Sequence, residues 1–255
     1  WTPTPPAYMD AVEPYWMKVR PAMLDSASQF RAPVPSKFDL TKGSPYYKEV
    51  MDSYLTVKNL TNDQRDIANF WDCNPFKMNI TGHAMFATKK MSPGGHWMGI
   101  VGQVSRQLKK SHVQVAEAFV MTSMAIFDGF ISCWDEKYRS VRIRPETVIN
   151  NSIDKKWIPI LQTPPFPEYT SGHSTISSAA ATVLTELYGD KIAFNDSTEI
   201  PYGLPPRKFT SFKQAADEAS ISRLYGGIHF RPALDLGVVQ GAKVAQHLMA
   251  KVKTK

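Results

Sequence analysis

Pro164-Pro165-Phe166-Pro167-Glu168-Tyr169-Thr170-Ser171-Gly172-His173 runs straight into Ser-Thr-Ile-Ser-Ser-Ala-Ala-Ala-Thr-Val-Leu-Thr-Glu-Leu-Tyr188. Proline fixes the backbone and bars helix before the switch, and Ser171 is placed to cap the helix that follows. The N–H groups of Gly172 and His173 then emerge from the positive end of a helix, a seat suited to a tetrahedral oxyanion. Gly172, with no side chain, lets the backbone approach a ligand closely. The plain alternative is a proline-rich loop with a capped helix, so the decision lies with the rest of the chain.

Working outward, the pattern is helical almost throughout. Tyr46, Val50, Tyr54 and Val57 recur at three- and four-residue steps. Thr61 opens a capping box before a helix through Ile67 and Phe70-Trp71, which Asn74-Pro75 ends. Residues 76–90 carry weak signals, helix or irregular. A helix after Pro93-Gly94-Gly95 carries Trp97, Ile100, Val101 and Val104. Ser111 caps a long helix, apolar on every side through Val115, Phe119, Met124, Phe127, Ile131 and Trp134, which predicts the central helix of a bundle. Gly189 is placed as the C-cap of the helix from Ser171 to Tyr188. Residues 195–210 read as a loop. Ser211 with Gln214 caps the next helix, to Tyr225, and Pro232 opens the last one. Residues 1–45, rich in proline, read as an extended, loosely attached arm with one short helix near Met17 to Phe30. The expectation is an all-α helical bundle, with residues 46–255 as a single helical catalytic domain.

Composition sets further bounds. The 255 residues are 43% hydrophobic and 21% charged, as a globular protein with a sizeable core requires. The net charge of +7 is not gathered in one run, and no nucleic-acid module is present. Cys73 and Cys133 lack metal-ligand spacing, and their pairing is open. Val113 to Phe127, the most apolar stretch, is too short and too polar to span a bilayer. The start at Trp1 suggests a processed or trimmed product, with a periplasmic or secreted location expected.

Two further segments carry charge that a core does not explain. In Lys137-Tyr-Arg-Ser-Val-Arg-Ile-Arg144-Pro145, Lys137 and Arg144 are seven apart, about two turns if the segment stays helical, so they could face one point. A solvated charged face is the alternative. In Ser222-Arg223-Leu-Tyr-Gly-Gly-Ile-His229, a helix ends in a double glycine and the chain re-emerges with a histidine. Alone, His229 reads as a hydrogen-bonded structural histidine. Together with the proline loop, the segments offer three cations, a serine-capped helix N-terminus and two imidazoles, a set that one tetrahedral oxyanion would use in full. His83, His112 and His247 lie outside the set, and Met78, Met85, Met91 and Met98 read as packing.

Lys-x6-Arg-Pro, then Ser-Gly-His, then Ser-Arg-x5-His resembles the signature shared by type 2 phosphatidic-acid phosphatases and vanadium-dependent haloperoxidases. The resemblance covers residues 134–237 and extends more weakly back to Ile67. Trp134, the Pro164–Pro167 run with Tyr169, Ala68-Asn-Phe-Trp-Asp72 and Gly95-His96-Trp97 are similar to the haloperoxidase branch. It implies vanadate as cofactor, with phosphate able to occupy the same site. His229 would bind the metal, and Lys137, Arg144, Ser171, Gly172 and Arg223 would hold the oxygens. His173 would be the acid–base residue, with Lys137 polarising peroxide. Trp134, Phe166 and Asp72 would surround the site.

The implied reaction is oxidation of halide by hydrogen peroxide, iodide or bromide favoured. Phe166 stands where bromide-specialised members tend to carry histidine, which points to iodide. The alternative is a soluble acid phosphatase acting on a phosphomonoester through a phosphohistidine at His229. One departure concerns both readings: the family's aspartate four residues after the last histidine is Ala233 here, leaving the partner of the His229 ring unassigned. Known haloperoxidases are longer, so the chain reads either as a compact member or as a trimmed fragment whose core a missing N-terminal helical half or a second copy could complete.

Overall fold

The computed structural model describes residues 1–75, 77–88 and 90–252. Among the described residues, eight α-helices carry the fold: α1 (Pro45–Lys58), α2 (Asn62–Phe70), α3 (Pro93–Gln107), α4 (His112–Ser140), α5 (Pro145–Ser152), α6 (Gly172–Tyr188), α7 (Phe212–Tyr225) and α8 (Arg231–Lys251). The predicted caps form. The Thr61, Ser111, Ser171 and Ser211 hydroxyls each accept an N–H three residues on, and Thr61 with Gln64 and Ser111 with Gln114 make reciprocal boxes.

The small-residue helix α6 is the hub, packed against α3, α4, α7 and α8. Its residues from Ser174 to Ala181 are buried. Helix α8 reaches it because Gly237 and Gly241 lie one turn apart on the facing side. A Cβ on Gly237 would stand 3.0 Å from the Ser171 carbonyl oxygen, and one on Gly241 1.9 Å from that of Thr175. The glycines thus set α8 directly against the first turn of α6. One apolar core joins α2, α3, α4, α6 and α7 around Ile67, Trp97, Ile100, Ile176, Ala180 and Phe212. A second joins α1, α5, Trp157 and Phe230.

Several expectations are corrected. Residues 78–87 form a hairpin, β1 (Met78–Thr81) against β2 (Ala84–Ala87), and the 195–210 region contains β3 (Phe194–Asp196) paired with β4 (Arg207–Phe209). Strands of three or four residues are too short for alternation to register. Helix α4 does not carry Lys137 and Arg144 on one face. It ends at Ser140, Val141 turns left-handed at φ 46°, and Arg144 sits as the N-cap of α5. Helix α4 is also longer than its apolar stretch suggested. It contains a window apolar enough to cross a membrane, half of which is buried inside the bundle.

In the N-terminal region a 3-10 turn at Trp16–Lys18 stands where a longer helix was expected. The segment is firmly held. Asp128 of α4, itself buried, accepts the N–H groups of Ala22, Met23 and Leu24 at 2.7, 2.8 and 3.0 Å. Val12 N–H donates to the Pro165 carbonyl at 2.9 Å, and the Tyr138 hydroxyl donates to that of Val12 at 2.6 Å.

Candidate active site

A cavity of about 710 Å³ opens where the three motif segments meet. Asp72, Trp134, Phe166, Gly172, His173, Arg223 and His229 line it, together with Val12, Glu13, Tyr15, Trp16 and Val19 of the N-terminal segment. Trp16 stacks on Phe130 with centroids 5.0 Å apart and meets Trp134 edge-on at 5.1 Å, while Trp134 lies 4.9 Å from Phe166. One side is therefore aromatic and the other polar. Lys137, Arg144 and Ser171 are buried and do not contribute to the cavity lining.

His229 has a clear orientation. Its Nδ1 lies 2.9 Å from Glu168 Oε1, and its Nε2 lies 3.1 Å from Arg144 Nη1. A guanidinium only donates, so Nε2 must carry the lone pair and Nδ1 the proton. Glu168 is thus the ring partner that the sequence left open at Ala233. Ala233 serves otherwise, its carbonyl accepting the Ser171 N–H at 2.9 Å. Glu168 also accepts the Phe230 N–H at 3.1 Å and faces Arg142 at 3.5 Å. Arg142 in turn pairs with Glu49 and donates to the Ser36 hydroxyl oxygen at 2.9 Å. Burial raises the Glu168 carboxyl above its ordinary range, opposed by Arg142, Arg144 and Lys137. Burial, with Arg144 and Lys137 adding to it, holds His229 well below the usual histidine range.

Lys137 projects from the last turns of α4 into the proline loop. Its ammonium donates to the carbonyls of Pro167, Glu168 and Thr170 at 3.0, 3.0 and 2.5 Å, so its three protons hold this loop in place. Burial lowers its pKa to about 7. Arg144 Nε donates to the Phe166 carbonyl at 2.9 Å and Nη1 to that of Ile228 at 2.8 Å, while Nη2 is buried with no partner among the described residues. Burial brings the Arg144 pKa down to about 10. Arg223, on the last turn of α7, donates to the Trp71 carbonyl at 2.6 Å.

His173 follows Gly172 in the first turn of α6. It is hydrogen-bonded to the Trp71 backbone, and burial with Arg223 and His96 holds it well below the usual histidine range. Its Nε2 has no partner among the described residues. The Ser171 hydroxyl accepts from Ser174 N–H at 3.2 Å and from the Ser174 hydroxyl at 2.9 Å. Asp72 pairs with Lys90 at 2.6 Å and acts on Arg223 through its charge.

The chemistry of this donor set suits an oxyanion. Lys137, Arg144 and Arg223 outnumber Glu168, the one carboxylate joined to His229, and buried donors such as Arg144 Nη2 ordinarily have an acceptor. Sequence motifs identified the cations and both imidazoles. They missed Glu168 and Arg142, whose signal was an acid and a base inside segments otherwise assigned to the site. They also missed the cavity wall built by residues 12–19.

Comparison with known proteins gives a consistent picture. Residues 150–255 match the family described as the VCPO second helical-bundle domain. A bacterial vanadium-dependent iodoperoxidase of known structure is 51% identical, with TM-score 0.94 over 99% of this chain and 60% of that one. A bacterial vanadium-dependent chloroperoxidase in its holo form is 18% identical, with TM-score 0.75 over 94% of this chain and 55% of that one. Its apo form is 18% identical with TM-score 0.73, covering 94% and 56%. At that identity the chloroperoxidases show the fold alone. The chain spans 60% or less of the length of these relatives. A search of curated proteins gave no match.

Proposed function

We propose, from the membership of this chain in the vanadium-dependent haloperoxidase branch of the type 2 phosphatidic-acid phosphatase superfamily, that it carries the vanadate site of an enzyme oxidising iodide with hydrogen peroxide. The observation that carries this reading is the orientation of His229, with Nδ1 on Glu168 and Nε2 toward Arg144. A histidine held by a carboxylate through one nitrogen presents the other as a metal ligand.

His229 Nε2 would bind vanadium, and the Arg144 and Arg223 guanidiniums with the Gly172 N–H would hold its oxygens. Ser171 would join them through its hydroxyl proton. Lys137 would contribute charge from behind the loop it supports. Bound vanadate would supply a pentavalent Lewis acid that draws electron density from hydrogen peroxide and exposes it to halide attack. His173, neutral and with Nε2 unpartnered, would take the proton that hydrogen peroxide gives up and return it as water leaves. The balance is H2O2 + I− + H+ → HOI + H2O. Iodide as the halide rests on Phe166, and on the 51% identical protein being an iodoperoxidase.

The test is reconstitution with orthovanadate, followed by an assay with hydrogen peroxide and iodide. His229→Ala is expected to lose vanadate binding and activity together. His173→Ala is expected to bind vanadate and lose about 100-fold or more in turnover, the scale of a positioned acid–base group. Full activity in His229→Ala would refute the assignment. Hydrolysis of p-nitrophenyl phosphate, inhibited by vanadate and unaccompanied by iodide oxidation, would favour the phosphatase reading.

A further inference from the structure

Beside the oxyanion pocket lies a second cluster of ligating groups that the proposed reaction does not use. Cys73 follows α2, His96 lies in the first turn of α3, and Glu199 follows β3. All three are buried. His96 Nδ1 is 3.3 Å from Cys73 Sγ and 3.3 Å from Glu199 Oε1, and the sulfur and that oxygen are 3.9 Å apart. A tetrahedral ion with bonds of about 2.3 Å to sulfur and about 2.0–2.1 Å to nitrogen and oxygen separates its ligand atoms by about 3.3–3.6 Å. The observed triangle differs from that by a few tenths of an ångström.

Two further observations point to a cation. His96 Nε2 lies 2.7 Å from Asp196 Oδ2, the carboxylate–histidine arrangement that orients metal-bound imidazoles. Asp196 is itself fixed, its other oxygen accepting the Thr198 N–H at 3.0 Å and hydroxyl at 2.7 Å. In addition, among the described residues neither Asp196 nor Glu199 is paired with a lysine or arginine. Among the described residues this single imidazole is the one ion-pair partner of both buried carboxylates. Buried charge ordinarily carries fuller compensation.

We propose that Cys73, His96 and Glu199 form a binding site for a divalent transition-metal ion of the zinc type, adjoining the oxyanion pocket and taking no part in the reaction assigned to it. The ligand set selects the ion. Calcium and magnesium take oxygen ligands, whereas thiolate with imidazole suits zinc and its cobalt substitute. The ion fastens the end of α2, the start of α3 and the segment after β3. The segment it grips presents the Trp71 carbonyl to Arg223, and Trp71 stacks on the His96 ring with centroids 4.5 Å apart. The site therefore secures one wall of the cavity, which Cys73 also lines.

Cobalt(II) titration of the vanadate-loaded protein tests this. The expected result is a one-to-one complex with a thiolate-to-cobalt charge-transfer band in the near ultraviolet, displaced by zinc. Cys73→Ser is expected to lose that band, and Glu199→Gln to weaken cobalt binding about tenfold or more. Zinc should also raise the melting temperature of the unmodified protein in a concentration-dependent way. A silent unmodified protein would overturn the proposal whether or not the variants fold. So would a charge-transfer band that survives in Cys73→Ser, which would place the sulfur ligand at Cys133.

Discussion

Lys137 makes anion binding depend on pH in a way that can be calculated. Its ammonium is fully buried, and burial lowers its pKa from 10.5 to about 7. At about 1.36 kcal/mol per unit, that depression corresponds to roughly 5 kcal/mol against the charged form. An oxyanion beside the loop that Lys137 supports restores the preference for charge. Below about pH 7 the ammonium is charged with or without the anion, and affinity is flat. Above it, binding must take up one proton, so affinity falls about tenfold per pH unit, or about 1.4 kcal/mol. His173 and His229 are held well below the usual histidine range and remain neutral across this window, and Arg144, at about 10, remains charged. Of these four groups, Lys137 is therefore the one that titrates there. Sulfate is the suitable probe because its own charge is constant. Calorimetric titration should show about tenfold weaker binding at pH 8 than at pH 6, and about a further tenfold at pH 9. A Lys137→Met variant that folds should bind weakly and without slope. Sulfate affinity that stays flat in the unmodified protein from pH 6 to pH 9 would refute the reasoning.

Gly241→Ala forces a Cβ to within 1.9 Å of the Thr175 carbonyl oxygen, which no side-chain rotation relieves, so a loss of about 3 kcal/mol is expected in chemical denaturation. Gly102→Ala, whose nearest neighbour would be Phe119 at 3.6 Å, should instead stabilise helix α3 by about 0.5–1 kcal/mol, and equal effects from the two would contradict the packing account. Burial raises the Glu136 carboxyl above its usual range, opposed by Arg139, so folding binds a proton that the unfolded chain releases earlier. Stability at this group is greatest at low pH and declines as pH rises through the raised value; Glu136→Gln should gain melting temperature relative to the unmodified protein between pH 4 and pH 7, and a pH-independent difference would count against it. Asp128→Ala removes the acceptor of three N–H groups, and limited proteolysis should then cut the chain between Val12 and Met23 while the bundle persists.

The helical architecture is legible because its signals are local. Ser171, Thr61, Ser111 and Ser211 act within one turn of themselves, and the periodicity of α4 and α6 extends over several turns. The three-segment site is legible through motif spacing, although the geometric reason offered for Lys137 and Arg144 fails at Val141. Glu168 is harder to find because it reaches His229 across 61 residues of sequence, whereas the neighbours of His229 in the chain are Ala233, at the expected place, and Asp235, out of phase. The role of residues 12–19 is hidden for a related reason. Prolines describe how that segment runs but not what it covers, and its attachment depends on Asp128, an acid in the mostly apolar middle of α4. The short strands fall below the length at which alternation is detectable.

The rings of Tyr15, Trp16, Phe130 and Trp134 stand around the chamber in which an electrophilic halogen would be released. Indoles and phenols react readily with such reagents. If hypoiodous acid is the product, the protein's own aromatic lining competes with any organic acceptor for it. The working lifetime of the catalyst would then be counted in turnovers rather than in hours, with iodinated Tyr15 and oxidised Trp16 as the marks of age in a peptide map.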